Sequence, residues 1–305
     1  MEDVADRLEL ARLREEPELY ERVVTEYQSR ASSDEQVQAL LRDTYYDADR
    51  AAAFRRFSES DELAATLRVL DRLGVSKDAR LVEVGGGPGF LTHALTQRGY
   101  RVELVEPNGL WNTGTGYLES RPEMREVRVW NDLDAWYGLR DLRYDVVLTH
   151  NCVHHFRPVQ YVAACLRQKL ETRGRWVMLR EWFAETPEET YRRLAEHPWS
   201  QSHALYEFPY PASHFVAALE QVGFELDQVF LGPYAGGALQ TGRSVHGFRS
   251  DAFTWMNDVL NRAAPVIPKV AFRTAAIAAR HGITSARSLA RPPALVFRRR
   301  ALASG

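Results

Sequence analysis

The chain has 305 residues, of which 45% are hydrophobic and 26% charged, enough to bury a sizeable core in one large domain or two small ones. Its net charge of −2 offers no basic surplus for nucleic acid or an acidic membrane surface, and no apolar run is long enough to span a bilayer. The charged N-terminus lacks a signal-peptide core, and two cysteines are too few for a disulfide framework, so we expect a cytoplasmic protein.

The first quarter of the chain is predicted to be helical. Apolar side chains recur at helical spacing in LARLREEPELYERVVTEY and again in ELAATLRVLDRLGV, which ends near Gly74. Between these two stretches lies a segment that is both polar and aromatic and that contains Tyr45 and Tyr46. We therefore expect a helical N-terminal cap over residues 1–75, followed by the main domain over residues 76–305.

The middle of the chain alternates between strand and helix patterns. The predicted strands are Arg80–Val84, Arg101–Glu106, Val127–Trp130, Asp145–Thr149 and Trp176–Arg180, and the predicted helices are Leu91–Arg98 and Val159–Leu170. Such alternation predicts right-handed crossovers and a mostly parallel sheet with helices on both faces. A further helix, a Gly turn and a strand follow in PASHFVAALEQVGFELDQVFL, and PPALVFRRR predicts a last strand.

A glycine-rich turn, Gly85-Gly86-Gly87-Pro88-Gly89, joins the first predicted strand to the next helix. Glycines let the backbone turn tightly and let a ligand approach the main chain, and a helix N-terminus favours an anion. The dinucleotide pattern G-x-G-x-x-G fails, because its last position holds Phe90. The pattern acid-x-G-x-G-x-G is complete and begins at Glu83. An acid that ends the second strand, Glu106, is placed to accept hydrogen bonds from ribose hydroxyls.

These motifs resemble those of class I S-adenosylmethionine-dependent methyltransferases, in which the glycine loop wraps the methionine part of the cofactor. The resemblance implies an α/β, Rossmann-like fold: a seven-stranded, mostly parallel sheet with a reversed last hairpin, a helical N-terminal cap and an insertion before the last strand. It implies Glu106 as the ribose-binding acid and Asn131-Asp132-Leu133 as the adenine-binding turn. The predicted cofactor-binding residues are Glu83, Gly85, Gly86, Gly87, Gly89, Glu106, Pro107, Asn131, Asp132, Leu133, His150 and Tyr46.

Two of these positions rest on other arguments. His150 ends the fourth predicted strand, and ligands bind outside the carboxyl ends of strands in open α/β sheets. Tyr46 is an aromatic residue of the segment that similar enzymes fold over the cofactor, where a ring face favours a sulfonium by cation–π attraction. Ordinary packing between helices is an equally open explanation for Tyr46.

Methyl transfer from a sulfonium is an in-line displacement, so the remaining need is a base for an acceptor that has a proton to lose. Many small-molecule methyltransferases carry a His-His pair after the fourth strand; in some, its first His is the base, assisted by an acid that ends the fifth strand. The resemblance implies His154 and Glu181 for these roles, although their separation is one residue longer than in that pattern. A structural role for the His pair, in helix capping or backbone contacts, stays open.

The predicted function is methyl transfer from S-adenosylmethionine to an O, N or C atom of a small molecule, of the specialised-metabolite kind. Two alternatives remain open. One is methylation of a protein or an RNA, although the lack of a basic patch counts against RNA. The other is a non-catalytic subunit that binds the cofactor.

No metal is expected, because Cys-x-His-His is not a usual ligand set. Residues 183–211 and 232–293 are predicted to cover the acceptor pocket. The sequence leaves the oligomeric state open, and a homodimer is one of the alternatives.

Overall fold

The structure is a computed structural model that describes residues 17–156, 158–181, 212–230, 266–267, 270 and 294–300. Within these residues the strands are β1 Arg80–Val84, β2 Arg101–Val105, β3 Val129–Trp130, β4 Tyr144–His150, β5 Leu170–Leu179, β6 Phe224–Phe230 and β7 Ala294–Arg299. The helices are α1 over residues 17–30, α2 Glu35–Asp43, α3 Arg50–Ser58, α4 Asp61–Arg72, α5 Phe90–Thr96, α6 Gly116–Glu119, α7 Leu133–Gly138, α8 Val159–Lys169 and α9 Ala212–Gln221. Short 3₁₀ turns cover Pro122–Met124 and Val153–His155.

The seven strands form one sheet in the order β3-β2-β1-β4-β5-β7-β6. Strands β1 to β5 run parallel, whereas β7 lies antiparallel between β5 and β6. The predicted Rossmann-like sheet with a reversed last hairpin is therefore confirmed. The strand order changes direction between β1 and β4, and the crevice at the carboxyl ends of strands at such a point is where open α/β sheets bind ligands.

Apolar side chains of the sheet divide between its two faces. Along β1, Leu81 packs with α3, α4 and α5, whereas Val82 and Val84 pack with α8 and α9. This alternation follows from the two-residue period of a strand, and burial on both faces explains the near-continuous apolar runs of β1 and β4. The carboxyl ends of these strands are thereby fixed between two helical layers.

The fifth strand is longer than its sequence pattern predicts. It was expected to begin at Trp176, but β5 begins at Leu170, directly after α8. The intervening residues 171–173 are exposed, so no burial pattern marks them as strand, and pairing of Leu170 with Tyr144 of β4 sets the observed start. The third strand is shorter than predicted, since β3 comprises only Val129–Trp130.

The N-terminal helices fall into two groups. Helices α1 and α2 pack around a small core of their own, which includes Val23, Val24 and Leu41. Helices α3 and α4 instead share the apolar core of one sheet face through Phe57 and Leu70. The division at residue 75 stays a prediction. The predicted insertions, residues 183–211 and 232–293, lie outside the described residues apart from 266, 267 and 270. No helix in the described ranges has the length and apolarity needed to cross a membrane.

Candidate active site

The loop between β1 and α5 turns through three glycines in the left-handed region. Gly85, Gly87 and Gly89 have φ angles of 70°, 51° and 69°, which residues with a Cβ rarely adopt. The Gly85 N–H donates to the Val105 carbonyl at 2.8 Å, so the loop begins against the end of β2. The glycines of the acid-x-G-x-G-x-G pattern are thus required by the backbone conformation.

Glu83 supports this loop from the protein core. Its Oε2 accepts hydrogen bonds from the Thr92 N–H at 2.9 Å and the Thr92 hydroxyl at 2.6 Å, and its burial raises the pKa of the carboxyl. A Cβ on Gly86 would lie 2.6 Å from Leu104 Cδ1 and 2.7 Å from Glu83 Cδ. In this structure Glu83 and Gly86 therefore hold the loop against the core.

Glu106 follows β2, and its carboxylate lies beside the glycine loop. Oε2 accepts the Gly87 N–H at 2.8 Å and Oε1 accepts the Asn108 N–H at 2.9 Å. A carboxylate oxygen accepts more than one hydrogen bond, so each oxygen retains capacity for a ribose hydroxyl. Burial raises the pKa of Glu106 to about 7, although the two backbone N–H groups act in the opposite direction. This arrangement fits the ribose of S-adenosylmethionine.

Replacing Glu106 by Ala is expected to weaken S-adenosylhomocysteine binding about tenfold to a few hundredfold, because charge-assisted hydrogen bonds worth roughly 1.5–3 kcal/mol are lost. Titration calorimetry measures this change. Glu126→Ala, which removes an exposed carboxylate from the loop before β3, should leave the affinity unchanged. An unchanged affinity in the Glu106 variant would mean that another residue holds the ribose.

The same carboxylate predicts a pH dependence of binding. Ribose hydroxyls donate to the ionised form, which a pKa of about 7 makes the minority form at lower pH. Affinity for S-adenosylhomocysteine should therefore fall about tenfold from pH 8 to pH 6, and binding on the acidic side should release a proton from Glu106. Glu106→Gln should show a flat profile over this range.

Helix α1 reaches the same region through Glu21. The Glu21 carboxylate accepts the N–H groups of Asn112 and Thr113, each at 3.0 Å, and the Thr113 hydroxyl at 2.8 Å. Asn108 Nδ2 donates to Thr113 Oγ1 at 2.9 Å, and the Asn108 N–H donates to Glu106. Continuous hydrogen bonds thus connect α1 to the Glu106 carboxylate. Sequence reasoning missed Glu21, since nothing in its local pattern separates it from the other acids of α1.

The predicted adenine-binding turn lies next to Glu106. Asn131 Nδ2 donates to the Glu106 carbonyl at 3.4 Å. Asp132 is exposed, and its side chain caps the N-terminus of α7. Leu133 is partly buried and packs against the core. Pro107 is exposed and lies in the loop after β2. Asn131 is therefore the member of the turn in hydrogen-bond contact with the residue expected to bind ribose.

A buried carboxylate of α4, Glu62, joins the ends of β4 and β5. Its Oε1 contacts His150 Nε2 and lies 3.3 Å from Arg180 Nη1, and its Oε2 accepts the Tyr45 hydroxyl at 3.4 Å. Burial alone would raise the pKa of Glu62, but the Arg180 guanidinium and the His150 imidazole hold it at about 2. The predicted cofactor residue His150 is thus oriented by α4. We call Glu62, His150, Arg180 and Tyr45 the Glu62 cluster.

Backbone strain accompanies the Glu62 cluster. Among the described non-glycine residues, those with positive φ are Tyr45, Asn151 and Arg180, at 59°, 52° and 49°. Asn151 and Arg180 directly follow β4 and β5, and Tyr45 and Arg180 belong to the cluster. Such conformations are uncommon outside glycine and concentrate at functional sites. This edge of the sheet therefore has the features of a site, as its carboxyl-end position predicted.

His154 and Glu181 lie side by side at the ends of the same two strands. Nδ1 of His154 faces Oε1 of Glu181 at hydrogen-bonding distance, and Glu181 Oε2 accepts the Val153 N–H at 2.8 Å. The two side chains are 2% and 0% exposed. The structure thus brings together the two residues predicted from sequence, in a geometry in which the carboxylate fixes the orientation of the imidazole.

The remaining predicted cofactor residue, Tyr46, is partly buried in the N-terminal segment. Its ring packs edge-on against Tyr20, with centroids 5.6 Å apart, and Arg50 Cζ lies 5.7 Å from its centroid. The Tyr46 carbonyl accepts Gln28 Nε2 at 2.8 Å, which connects it to α1. The described residues contain no group of three or more His, Cys, Asp or Glu side chains that could hold a metal ion.

Comparisons with known proteins identify the family of this chain. A family model described as a methyltransferase domain matches residues 46–229. The mitomycin 7-O-methyltransferase structure is 16% identical with a TM-score of 0.45, over 67% of this chain and 56% of that chain, so the match spans little more than half of that enzyme. An S-adenosylmethionine-dependent methyltransferase from Thiobacillus denitrificans, solved with S-adenosylhomocysteine, is 16% identical with a TM-score of 0.44, over 79% and 91% of the two chains. No curated protein sequence matches the chain.

Proposed function

Because the chain belongs to the family of methyltransferase domains, we propose that it methylates an O, N or C atom of a small-molecule acceptor, of the specialised-metabolite kind. Its domain is an S-adenosylmethionine-dependent methyltransferase of class I. The sheet is the seven-stranded, mostly parallel one with a reversed last hairpin that is expected of this class. What we propose is the class of acceptor and the residues that act on it. The observation that carries it is the buried contact between His154 and Glu181 at the carboxyl ends of β4 and β5.

The residues proposed to hold the cofactor converge on one edge of the sheet. S-adenosylmethionine, when bound, supplies a methyl group already activated by its sulfonium. The glycine loop from Gly85 to Gly89 would present main-chain groups to the methionine part, and Glu106 would accept the ribose hydroxyls. Asn131, which contacts the Glu106 carbonyl, would lie near the adenine. His150 is proposed to contact the cofactor from the end of β4, in the orientation set by its contact with Glu62.

The role proposed for Glu181 is to favour the protonation state that His154 needs as a base. A carboxylate that accepts from Nδ1–H stabilises the neutral tautomer whose Nε2 has no proton, and it stabilises the imidazolium after proton uptake. In our proposal His154 removes the acceptor proton and Glu181 positions His154. Residues 183–211 and 232–293 are proposed to cover the acceptor.

A small acceptor is supported by charge and by burial. The net charge of −2 gives the chain no overall positive charge that would attract RNA. The proposed base is almost entirely buried, which suits an acceptor small enough to be enclosed and suits a folded macromolecular surface poorly.

The experiment has two parts. S-adenosylhomocysteine at a hundredfold excess over its Kd should stabilise the protein by about 2.7 kcal/mol, whereas NAD should not; no shift of the melting temperature by calorimetry would refute cofactor binding. The protein is then incubated with methyl-labelled S-adenosylmethionine and a cell extract. Label that depends on the enzyme and separates chromatographically, in a small molecule distinct from S-adenosylmethionine and its breakdown products, supports a small acceptor. Enzyme-dependent label only in protein or RNA contradicts it.

A further inference from the structure

Arg50, the first residue of α3, is a buried cation with two unused donors. Its side chain is 2% exposed, and Nη1 donates to the Tyr45 carbonyl. Nε and Nη2 are buried and have no hydrogen-bond partner. Burial is the main cause that lowers the pKa of Arg50. Within the described residues, the charges of Tyr46, Asp47 and Glu21 raise it through space, without a hydrogen bond to the guanidinium.

Such an arrangement calls for an anion. A guanidinium stays protonated in proteins, and buried charges are normally paired because unpaired ones are costly. The rings of Phe90 and Tyr46 lie 4.8 and 5.7 Å from Arg50 Cζ and provide cation–π attraction. Stacked rings do not, however, accept the in-plane N–H groups of a guanidinium.

The two unused donors have a particular geometry. Nε–H and one N–H of Nη2 point in parallel from the same edge of the planar guanidinium. This edge matches the two oxygens of a carboxylate, which it binds through two parallel hydrogen bonds. The unused edge of Arg50 is therefore specific for a planar, bidentate anion.

The location of Arg50 identifies a source for that anion. Phe90, over whose ring the guanidinium lies, directly follows Gly89 and begins α5. Arg50 is thus adjacent to the glycine loop, which the proposed function assigns to the methionine part of the cofactor. That part carries a free α-carboxylate.

We propose that Arg50 binds the α-carboxylate of the methionine part of S-adenosylmethionine through Nε and Nη2. This inference rests on the proposed function, since it requires the cofactor to occupy the glycine loop. It makes the N-terminal segment part of the cofactor site, through a residue outside the motif. Sequence reasoning missed Arg50 because it is one of several arginines in DRAAAFRRFS, with nothing local to mark its burial.

Two ligands separate this role from a purely structural one. S-adenosylhomocysteine has the carboxylate, whereas 5′-deoxy-5′-methylthioadenosine shares the adenosine and thioether but lacks the amino-acid part. Arg50→Met should weaken binding of the first by roughly tenfold to a hundredfold and leave binding of the second within about twofold, as measured by titration calorimetry. Arg50→Lys should fall between wild type and Met for the first ligand, since it keeps the charge and loses the paired donors.

Arg55→Met is the matched control, because Arg55 is exposed on the same helix, and it should change neither affinity. Retained binding of methylthioadenosine shows that a variant is folded; should Arg50→Met not fold, Arg50→Lys carries the test. Equal weakening of both ligands, or unchanged S-adenosylhomocysteine affinity, overturns the role of Arg50. If wild type binds neither ligand, the proposed function itself fails.

Discussion

Replacing His154 by Ala is expected to lower kcat by roughly 10²–10⁴-fold while S-adenosylhomocysteine affinity stays nearly intact. The reason is that His154 is the proposed general base, and its Nδ1 faces the Glu181 carboxylate at the carboxyl ends of the strands, where the glycine loop also begins. Steady-state kinetics with an identified acceptor gives kcat, and calorimetry gives the affinity. The separation of the two readouts distinguishes a base from a residue that merely supports the fold.

Glu181→Gln is the companion variant, because it keeps the shape and an acceptor oxygen for the Val153 N–H while it removes the charge. If His154 and Glu181 act as one unit, the double variant should be little worse than the worse single variant. His214→Ala, at an exposed position of α9, is the control and should retain most of kcat. A His154 variant with normal kcat and reduced thermal stability would assign the pair to structure.

Replacing Glu62 by Ala is expected to destabilise the protein by about 3–5 kcal/mol, because it removes the buried carboxylate that pairs with the Arg180 guanidinium and contacts His150. Glu62 is 1% exposed, and its carboxylate contacts both residues and Tyr45. Denaturant unfolding at pH 7 measures the change. Asp71→Ala, which removes an exposed carboxylate of the same helix, should change stability by less than about 0.5 kcal/mol.

The same residue gives stability a defined dependence on pH. The folded-state pKa of Glu62, about 2, lies below its ordinary value of 4.5. Its ionised form therefore stabilises the fold above that ordinary value, and this contribution disappears as the pH falls toward 2. Wild type should lose more stability than Glu62→Gln over this range. Parallel stability curves for the two proteins would show that Glu62 is not held by the cluster.

Several parts of the site were predictable because their cause is local. A loop that must adopt positive φ three times requires glycine, so Gly85, Gly87 and Gly89 marked it directly. Glu106 was recognisable because it lies at the end of the second predicted strand, at a fixed distance beyond that loop, and it directly follows β2 in the structure. Their roles in cofactor binding stay predictions, but the conformations that made them conspicuous are present in the structure.

Other parts had weak signals or none. Glu62 stands on the apolar face of its helix, at helical spacing from Ala65, Thr66 and Val69, all of which are buried. A charge at such a position indicates a buried ion pair, but the sequence does not identify the partner. Glu21 and Arg50 had no comparable pattern, since their burial and contacts depend on how α1 and α3 pack.

The sequence by itself determined the order of strands and helices, the glycine turn and the placement of Glu106, His154 and Glu181 after strands, because periodicity and backbone conformation depend on near neighbours. Only the tertiary structure decided that Glu62 meets His150, 88 positions away, and Arg180, 118 positions away. It also decided that β5 begins at Leu170 and that Arg50 keeps one edge unpaired. The physical reason is that such contacts depend on how layers of structure pack and register against each other, which no local pattern specifies.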